Sequence, residues 1–309
     1  MTLHPFIAAM LDGLRDRPGL SSGTPTEARA LVAGSRAALG QGFEMTSSSD
    51  IAVPTRGGSI PARLLLPPGP IRGLVIYVHG GGWVVGTIED FDTLGRAIAH
   101  ESGCAVLLPE YRLAPEHSFP SGLEDVEDAI SWAEDNVTSL VGKSLPIIAA
   151  GDSSGANLVT VALRRLGKPS AVVLQVLVYP ATDSNFATPS YAANSDGMPL
   201  TEGDMKWFFE QYAPEALHGG EDISPLRSNG LGVLPSTFIL TAEHDVLRSD
   251  GESYALALEG SGVEVTLKQY EGMTHGFLRL HNHLDVAREA LGDIAGAITR
   301  ASEAAVISQ

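Results

Sequence analysis

Cysteine is all but missing from this chain. Cys104 stands alone among 309 residues, which excludes an intramolecular disulfide and a cysteine-built zinc site. It lies in the apolar stretch 104–108, where a small buried hydrophobe is the expected role. Long apolar runs are missing too, since none reaches the roughly 18 residues that cross a bilayer. Residues 1–17 lack the basic start, apolar segment and small-residue cleavage site of a secretory signal, so the expected compartment is the cytoplasm. Basic side chains are scarce: 20 Lys and Arg face 37 Asp and Glu, a formal net charge of -17. Such a surface repels nucleic acid and anionic membranes, and neither is an expected partner. A neutral small molecule meets no such barrier.

What is present is an alternation. From residue 60 onwards apolar runs alternate with segments of helical period, which implies an α/β domain with a mostly parallel sheet. The spacing predicts strands at 60–66, 74–79, 105–109, 145–150, 172–179, 237–242 and 263–270, preceded by one near Ile51. Helices are predicted at 90–101, 123–136, 156–166, 250–260 and 284–303. Arg56-Gly57-Gly58-Ser59 favours a hairpin between the first two strands, which makes the leading sheet edge antiparallel.

Two segments interrupt this rhythm. Residues 1–45 carry an amphipathic stripe of Leu3, Phe6, Ile7, Met10, Leu11 and Leu14, then a second helical stretch at 26–39. Residues 181–231 separate two strands where a connection of ~2 to 6 residues is typical. Within them Met205, Phe208, Phe209 and Tyr212 recur at helical spacing, a face expected to serve partly as core. Leaving the domain at a strand's carboxyl end, where α/β ligands bind, the insertion is expected to form a cap that pairs with the amino-terminal helices. The expected organisation is therefore cap helices at 1–45, a catalytic domain in two parts at 46–180 and 232–309, and a cap insertion at 181–231.

Gly151-Asp152-Ser153-Ser154-Gly155 follows the apolar run 145–150 and opens the helical stretch 156–166. A sharp strand-to-helix turn leaves no room for side chains beside its middle residue, so glycine flanks the serine and the hydroxyl stands out over the sheet. In a chain with 34 glycines the pattern arises readily by chance, and its weight comes from its company. His79-Gly80-Gly81-Gly82-Trp83 begins at the end of another predicted strand. Consecutive glycines cost backbone entropy and are tolerated where the main chain approaches something closely or aims its amides at it. Alone they would read as a tight turn. Beside Ser153 they read as an oxyanion loop, completed by the amide of the residue after the nucleophile, Ser154.

A serine nucleophile needs a base, and histidine, with an ordinary pKa of ~6.5, suits that task. On this kind of framework the chain order is nucleophile, acid, histidine. Of nine histidines, His244, His275, His281 and His283 follow both Ser153 and the insertion. His275 lies in the loop between the strand ending near Tyr270 and the last helix, from which a ring can reach over the sheet edge. His281 and His283 are expected at the surface; as a metal pair they lack a third ligand. For the acid, Glu243 and Asp245 both follow the strand at 237–242, and position alone excludes neither. The acid would hold the imidazole in one tautomer and stabilise its charged form.

Taken together, His79 to Trp83, Tyr111-Arg112-Leu113-Ala114-Pro115-Glu116, Gly151 to Gly155, Asp245-Val246-Leu247-Arg248 and His275-Gly276-Phe277 run in order from residue 79 to residue 277. This set resembles the hormone-sensitive lipase family of α/β-hydrolases, in its bacterial branch. The resemblance implies an α/β-hydrolase fold, with an eight-stranded, mostly parallel sheet and a helical cap. It implies Ser153, Asp245 and His275 as the triad, with oxyanion amides from Gly81, Gly82 and Ser154 and Gly80 shaping the loop. Asp245 is favoured over Glu243 because it matches the family's Asp-Pro-Leu motif. His79 and the block from Tyr111 to Glu116 take structural roles. Three positions depart from the pattern: Ser154 stands for alanine, Val246 for proline and Glu110 for aspartate. The Ser154 hydroxyl is expected to touch either the leaving group or a neighbour. Many members dimerise through an edge strand, here the one at 263–270.

The activity expected is hydrolysis of a small ester of short to medium acyl chain, with no metal or organic cofactor. Trp83, Leu200, Met205, Phe208 and Phe209 are expected to wall its pocket. Amide or carbamate hydrolysis on the same machinery is the near rival. A receptor role, as in the plant gibberellin receptors that resemble this family but have lost the histidine, is opposed by His275. Lipase action on insoluble triglyceride is opposed by the lack of a recognisable hydrophobic lid.

Overall fold

Uninterrupted apolar runs suit strands that are covered on both faces, and three such runs form the middle of the sheet. The computed structural model describes residues 2–15, 18–167 and 172–307. Its strands are β1 (Ser47–Thr55), β2 (Gly58–Leu66), β3 (Leu74–Val78), β4 (Ala105–Pro109), β5 (Ile147–Asp152), β6 (Val172–Val178), β7 (Ser236–His244) and β8 (Val265–Thr274). Its helices are α1 (Pro5–Leu14), α2 (Pro25–Gly34), α3 (Ile88–Ser102), α4 (Ser121–Val141), α5 (Ser154–Leu166), α6 (Pro189–Asn194), α7 (Glu202–Tyr212), α8 (Arg248–Gly260) and α9 (Asp285–Ile307). The eight strands form one sheet in the order β1-β2-β4-β3-β5-β6-β7-β8. From β4 to β8 the pairings are parallel. β1 and β2 pair antiparallel around Arg56 and Gly57, and β2 joins β4 antiparallel.

Alternate residues of a strand face opposite sides, and the core divides accordingly. Leu74, Ile76 and Val78 of β3 belong to one buried cluster with Val126 of α4, Leu158 of α5 and Leu258 of α8. Val75 and Tyr77 point the other way, to Leu94 and Ile98 of α3 and Leu291 and Ile298 of α9. From β3 the chain moves first to β4 on one side and then to β5 on the other. Ligands of open α/β sheets bind outside the strand carboxyl ends at such a reversal. Here those ends carry the triple glycine, after β3, and Ser153, after β5.

The amino-terminal stripe behaves differently from its periodicity. Only Ile7 of α1 is fully buried, while Phe6 and Leu14 are each more than a third exposed. The helix start is pinned at the carboxyl end of β8 by His4 N–H donating to Gly272 O at 3.0 Å. Contact with α7 comes instead from the turn at Leu20–Ser22: Ser21 donates from its amide (3.0 Å) and hydroxyl (2.7 Å) to Asp204 Oδ1. Asp204 also closes the α7 capping box with Thr201. α2 begins with the same device, Thr24 and Glu27, and with Pro25 in the first turn, where its missing N–H has no partner to lose.

The insertion leaves the sheet beside Ser153 and is anchored on a buried carboxylate. Thr182 and Asp183 N–H both donate to Asp250 Oδ2, at 2.9 and 3.0 Å. Burial pushes the Asp250 carboxyl up to about 8, against the two amides and with repulsion from Asp183 and Asp245. The unfolded chain releases this proton near ~3.9, so between about pH 4 and 8 the folded state holds the extra proton and stability falls as pH rises. Asp250→Asn keeps an accepting oxygen and removes the titration. Its melting temperature is expected to gain more over the parent at pH 8 than at pH 5; equal shifts at both would contradict the assignment.

Candidate active site

Ser153 sits between β5 and α5 at φ 54°, ψ -120°, a conformation costing a non-glycine residue of order 1–3 kcal/mol. Its amide is held by Val178 O at 2.8 Å, and its carbonyl accepts Asn157 N–H at 3.1 Å. The flanking glycines are required by contact. A Cβ on Gly155 would lie 2.1 Å from Val78 O, and one on Gly151 would lie 2.6 Å from the Gly155 carbonyl carbon. The first turn of α5 therefore rests directly on the end of β3.

Over this turn the structure brings His275 and Asp245. Asp245, 1% exposed, follows β7; its Oδ2 lies 2.7 Å from His275 Nδ1 and its Oδ1 accepts Leu247 N–H at 2.9 Å. An ionised carboxylate only accepts, so Nδ1 carries the proton. Nε2 is left to accept from Ser153 Oγ, 3.0 Å away. The imidazole also packs on Tyr179, with ring centroids 4.5 Å apart. Glu243 is placed elsewhere: its Oε2 accepts Gly272 N–H at 2.7 Å, bracing the backbone that leads to His275.

The triple glycine follows β3, the parallel neighbour of β5, at the same carboxyl end of the sheet. Gly81 O accepts both Val84 N–H (3.1 Å) and Val85 N–H (2.9 Å), a turn that leaves the Gly81 and Gly82 amides without an acceptor among the described residues. The Ser154 amide opens α5, where first-turn donors have no partner within the helix. Gly80 N–H (2.9 Å) and the Tyr77 hydroxyl (3.0 Å) donate to Asp152 Oδ1, tying the loop to the elbow. Burial raises the pKa of Asp152, against its donors. His79 is stacked between Phe91 and Tyr111 with Nδ1 2.8 Å from Gly80 O. Burial pushes it down to about 4, so it braces the loop as a neutral ring. The Ser154 hydroxyl accepts Trp83 N–H at 3.2 Å; it touches a neighbour in the loop.

A family model for the alpha/beta hydrolase fold matches residues 75–279. This chain belongs to the α/β-hydrolase family. Its relatives agree with the hormone-sensitive-lipase-like branch that the motifs resemble. An ethyl acetate hydrolase of Pseudomonas putida is 33% identical over 94% of this chain and 96% of its own length. Carboxylic ester hydrolase LipN of Mycobacterium tuberculosis is 38% identical over 75% of this chain, a match that spans 64% of the relative. Among solved structures, a hyperthermophilic esterase from the archaeon Pyrobaculum calidifontis superposes with a TM-score of 0.92 at 35% identity, covering 97% of this chain and 99% of that one.

In this α/β-hydrolase the five residues read as pocket walls are all buried, but not alike. Phe208 lies against the triple-glycine turn, where a Cβ on Gly82 would come 2.2 Å from its Cγ. Trp83 stacks on Tyr212 at 4.4 Å and meets Phe209 edge-on at 5.1 Å. Leu200 and Met205 join the same buried cluster. Phe119, edge-on to Tyr212, and Phe186, edge-on to Phe209, complete it. Both are isolated aromatics in loops, with no periodicity to signal them. Asn157 carries no sequence signal for a related reason: inside a helix it gives no sign that its Nδ2 donates to Ala181 O and Ile223 O, each at 2.8 Å. His283 is exposed as expected, but His281, which caps the end of the turn Phe277–Leu280, is only 3% exposed. Among the described residues no group of three His, Cys, Asp or Glu is placed to hold a metal ion, and no helix is long and apolar enough to cross a membrane. Cys104 is fully buried.

Proposed function

We propose that Ser153, His275 and Asp245 are the triad with which this carboxylic ester hydrolase cleaves small esters of short to medium acyl chain. His275 Nε2 takes the Ser153 proton as Oγ attacks the ester carbonyl. The oxyanion that forms is met by the amides of Gly81, Gly82 and Ser154. His275 then protonates the departing alkoxide, an acyl-enzyme remains on Ser153, and a water deprotonated by the same nitrogen releases the acid. Asp245 holds the imidazole and balances its charge without taking the proton. The observation that carries this reading is the line of contacts from Ser153 Oγ through His275 to Asp245, at 3.0 and 2.7 Å. The relatives support it, being named for ester hydrolysis and in one case for ethyl acetate, a short ester.

Phe208 is the proposed wall of the acyl site, with Trp83, Leu200, Met205 and Phe209 behind it. Residues 1–45 and 181–231 form the proposed cap over a catalytic domain made of 46–180 and 232–309. The test is Ser153→Ala: turnover of p-nitrophenyl acetate and butyrate is expected to fall to background with an unchanged circular dichroism spectrum. Retained turnover would sink the assignment. A matched butyranilide, run beside the ester, separates ester from amide preference, and the ester is expected to be faster.

The proposed assembly is a homodimer through β8, one of the two edge strands, where Leu267 is 43% exposed. Light scattering of the parent and of Leu267→Lys checks it, a monomeric parent being the contrary result. The proposed compartment is the cytoplasm, to be checked by cell fractionation.

A further inference from the structure

The oxyanion turn is held from several sides, and one of its ties comes from outside the catalytic body. Asp152 holds Gly80 N–H, Ser154 Oγ holds Trp83 N–H, and Ala114 N–H donates to Trp83 O at 2.9 Å. The next carbonyl, Val84 O, is taken by Arg29 of α2, whose Nε donates at 2.8 Å. The same guanidinium donates to Ala114 O at 2.9 Å and to both oxygens of Glu116, at 2.8 and 2.6 Å. A planar guanidinium reaches two carbonyls and a carboxylate in one geometry, which no other side chain does. The Glu116 carboxyl is drawn down to about 2 by this partner. Arg29 thus fixes the outgoing limb of the loop, two residues beyond Gly82, against the segment from Ala114 that already holds Trp83.

We propose that Arg29 is a positioning residue for the oxyanion hole, so that the amino-terminal segment sets the rate of turnover. It touches neither substrate nor reacting atoms; it acts through the Val84 carbonyl on the orientation of the Gly81 and Gly82 amides. This rests on the reading of those amides as oxyanion donors. Remote misplacement of a reacting constellation by about 1 Å costs up to ~100-fold, and loss of one of several ties is expected to cost less.

The experiment compares Arg29→Met, Arg29→Lys and Arg36→Met on p-nitrophenyl butyrate, with active sites counted by burst titration with a phosphonate ester. Arg36 lies in the same segment but binds Asp90 and Thr87, away from the loop carbonyls. Arg29→Met is expected to lower kcat per titrated site about tenfold with KM within about twofold. Arg29→Lys, which keeps the charge but loses the fork, is expected to fall between it and the parent. Arg36→Met is expected to leave kcat per site unchanged, whatever it does to the melting temperature. An Arg29→Met enzyme with an unchanged kcat per site overturns the proposal, and so does an equal loss in Arg36→Met. Failure of the esterase reading is seen separately, as a parent protein that neither turns over the ester nor titrates at Ser153.

Discussion

His275→Gln is expected to lower kcat on p-nitrophenyl butyrate by about 10^6-fold, the scale on which loss of the base disables a serine nucleophile. The geometry allows no substitute. Nε2 alone stands within hydrogen-bond distance of Ser153 Oγ among the titratable groups described, and Glu243, the nearest rival in sequence, is engaged by Gly272 N–H. Asp245→Asn is expected to cost less, about 10^4-fold. The asparagine amide would donate toward Nδ1, forcing the ring proton to Nε2, where it blocks acceptance from serine. The two variants are compared in single-turnover kinetics at saturating ester, beside their melting temperatures. A His275→Gln enzyme that retained a hundredth of parental kcat, or an Asp245→Asn enzyme with parental kcat, would contradict the assigned roles.

Gly81→Ala is expected to cost about 10^2- to 10^3-fold in kcat, the loss typical of removing one oxyanion donor. Gly81 sits at φ +123°, and an added Cβ would meet Val85 O at 2.1 Å. The obstacle is backbone that the loop itself has folded, so the turn has to open and its amides turn away. Gly82→Ala presents a different case. At φ +57° the backbone tolerates alanine better, and the obstacle is the Phe208 ring, 2.2 Å from the added atom. Shortening that ring in Gly82→Ala with Phe208→Ala is therefore expected to recover activity lost by Gly82→Ala alone, whereas Phe208→Ala gives no recovery to Gly81→Ala. Recovery in both pairs, or in neither, would argue against the loop geometry described.

The sequence was most legible where one physical demand admits few residues. Burial on both faces allows only apolar runs, so β3, β4 and β5 could be placed within a residue or two. Glycine at 151 and 155 answers a backbone contact, so the elbow could be read as a turn from its spacing together with its place between an apolar run and a helical stretch. That His275 would reach Ser153 was legible from its order along the chain and from the loop it occupies. The acid needed the family motif, because Glu243 and Asp245 leave the same strand end and only the pleat and the bulge near His244 decide which side chain reaches the ring. Contacts between distant segments left no local trace. Arg29 and Glu116 are polar residues on helix and loop surfaces, unremarkable until the fold brings them together across 87 positions. The α1 stripe had a clear period but only a partial partner, since periodicity records which face is apolar and not how much of it another element covers.

In the proposed mechanism the Ser153 hydroxyl, the His275 imidazole and the glycine-turn amides converge on one reacting centre. A crystal structure of the enzyme inactivated by a phosphonate ester tests it most directly, because the adduct places a negative oxygen where the tetrahedral intermediate would hold it. The expected adduct has a single covalent bond at Ser153 Oγ, His275 Nε2 beside it, and the phosphoryl oxygen about 2.7–3.1 Å from the amides of Gly81, Gly82 and Ser154. A phosphorus bonded to any other residue, or an oxygen turned away from those amides, would contradict it.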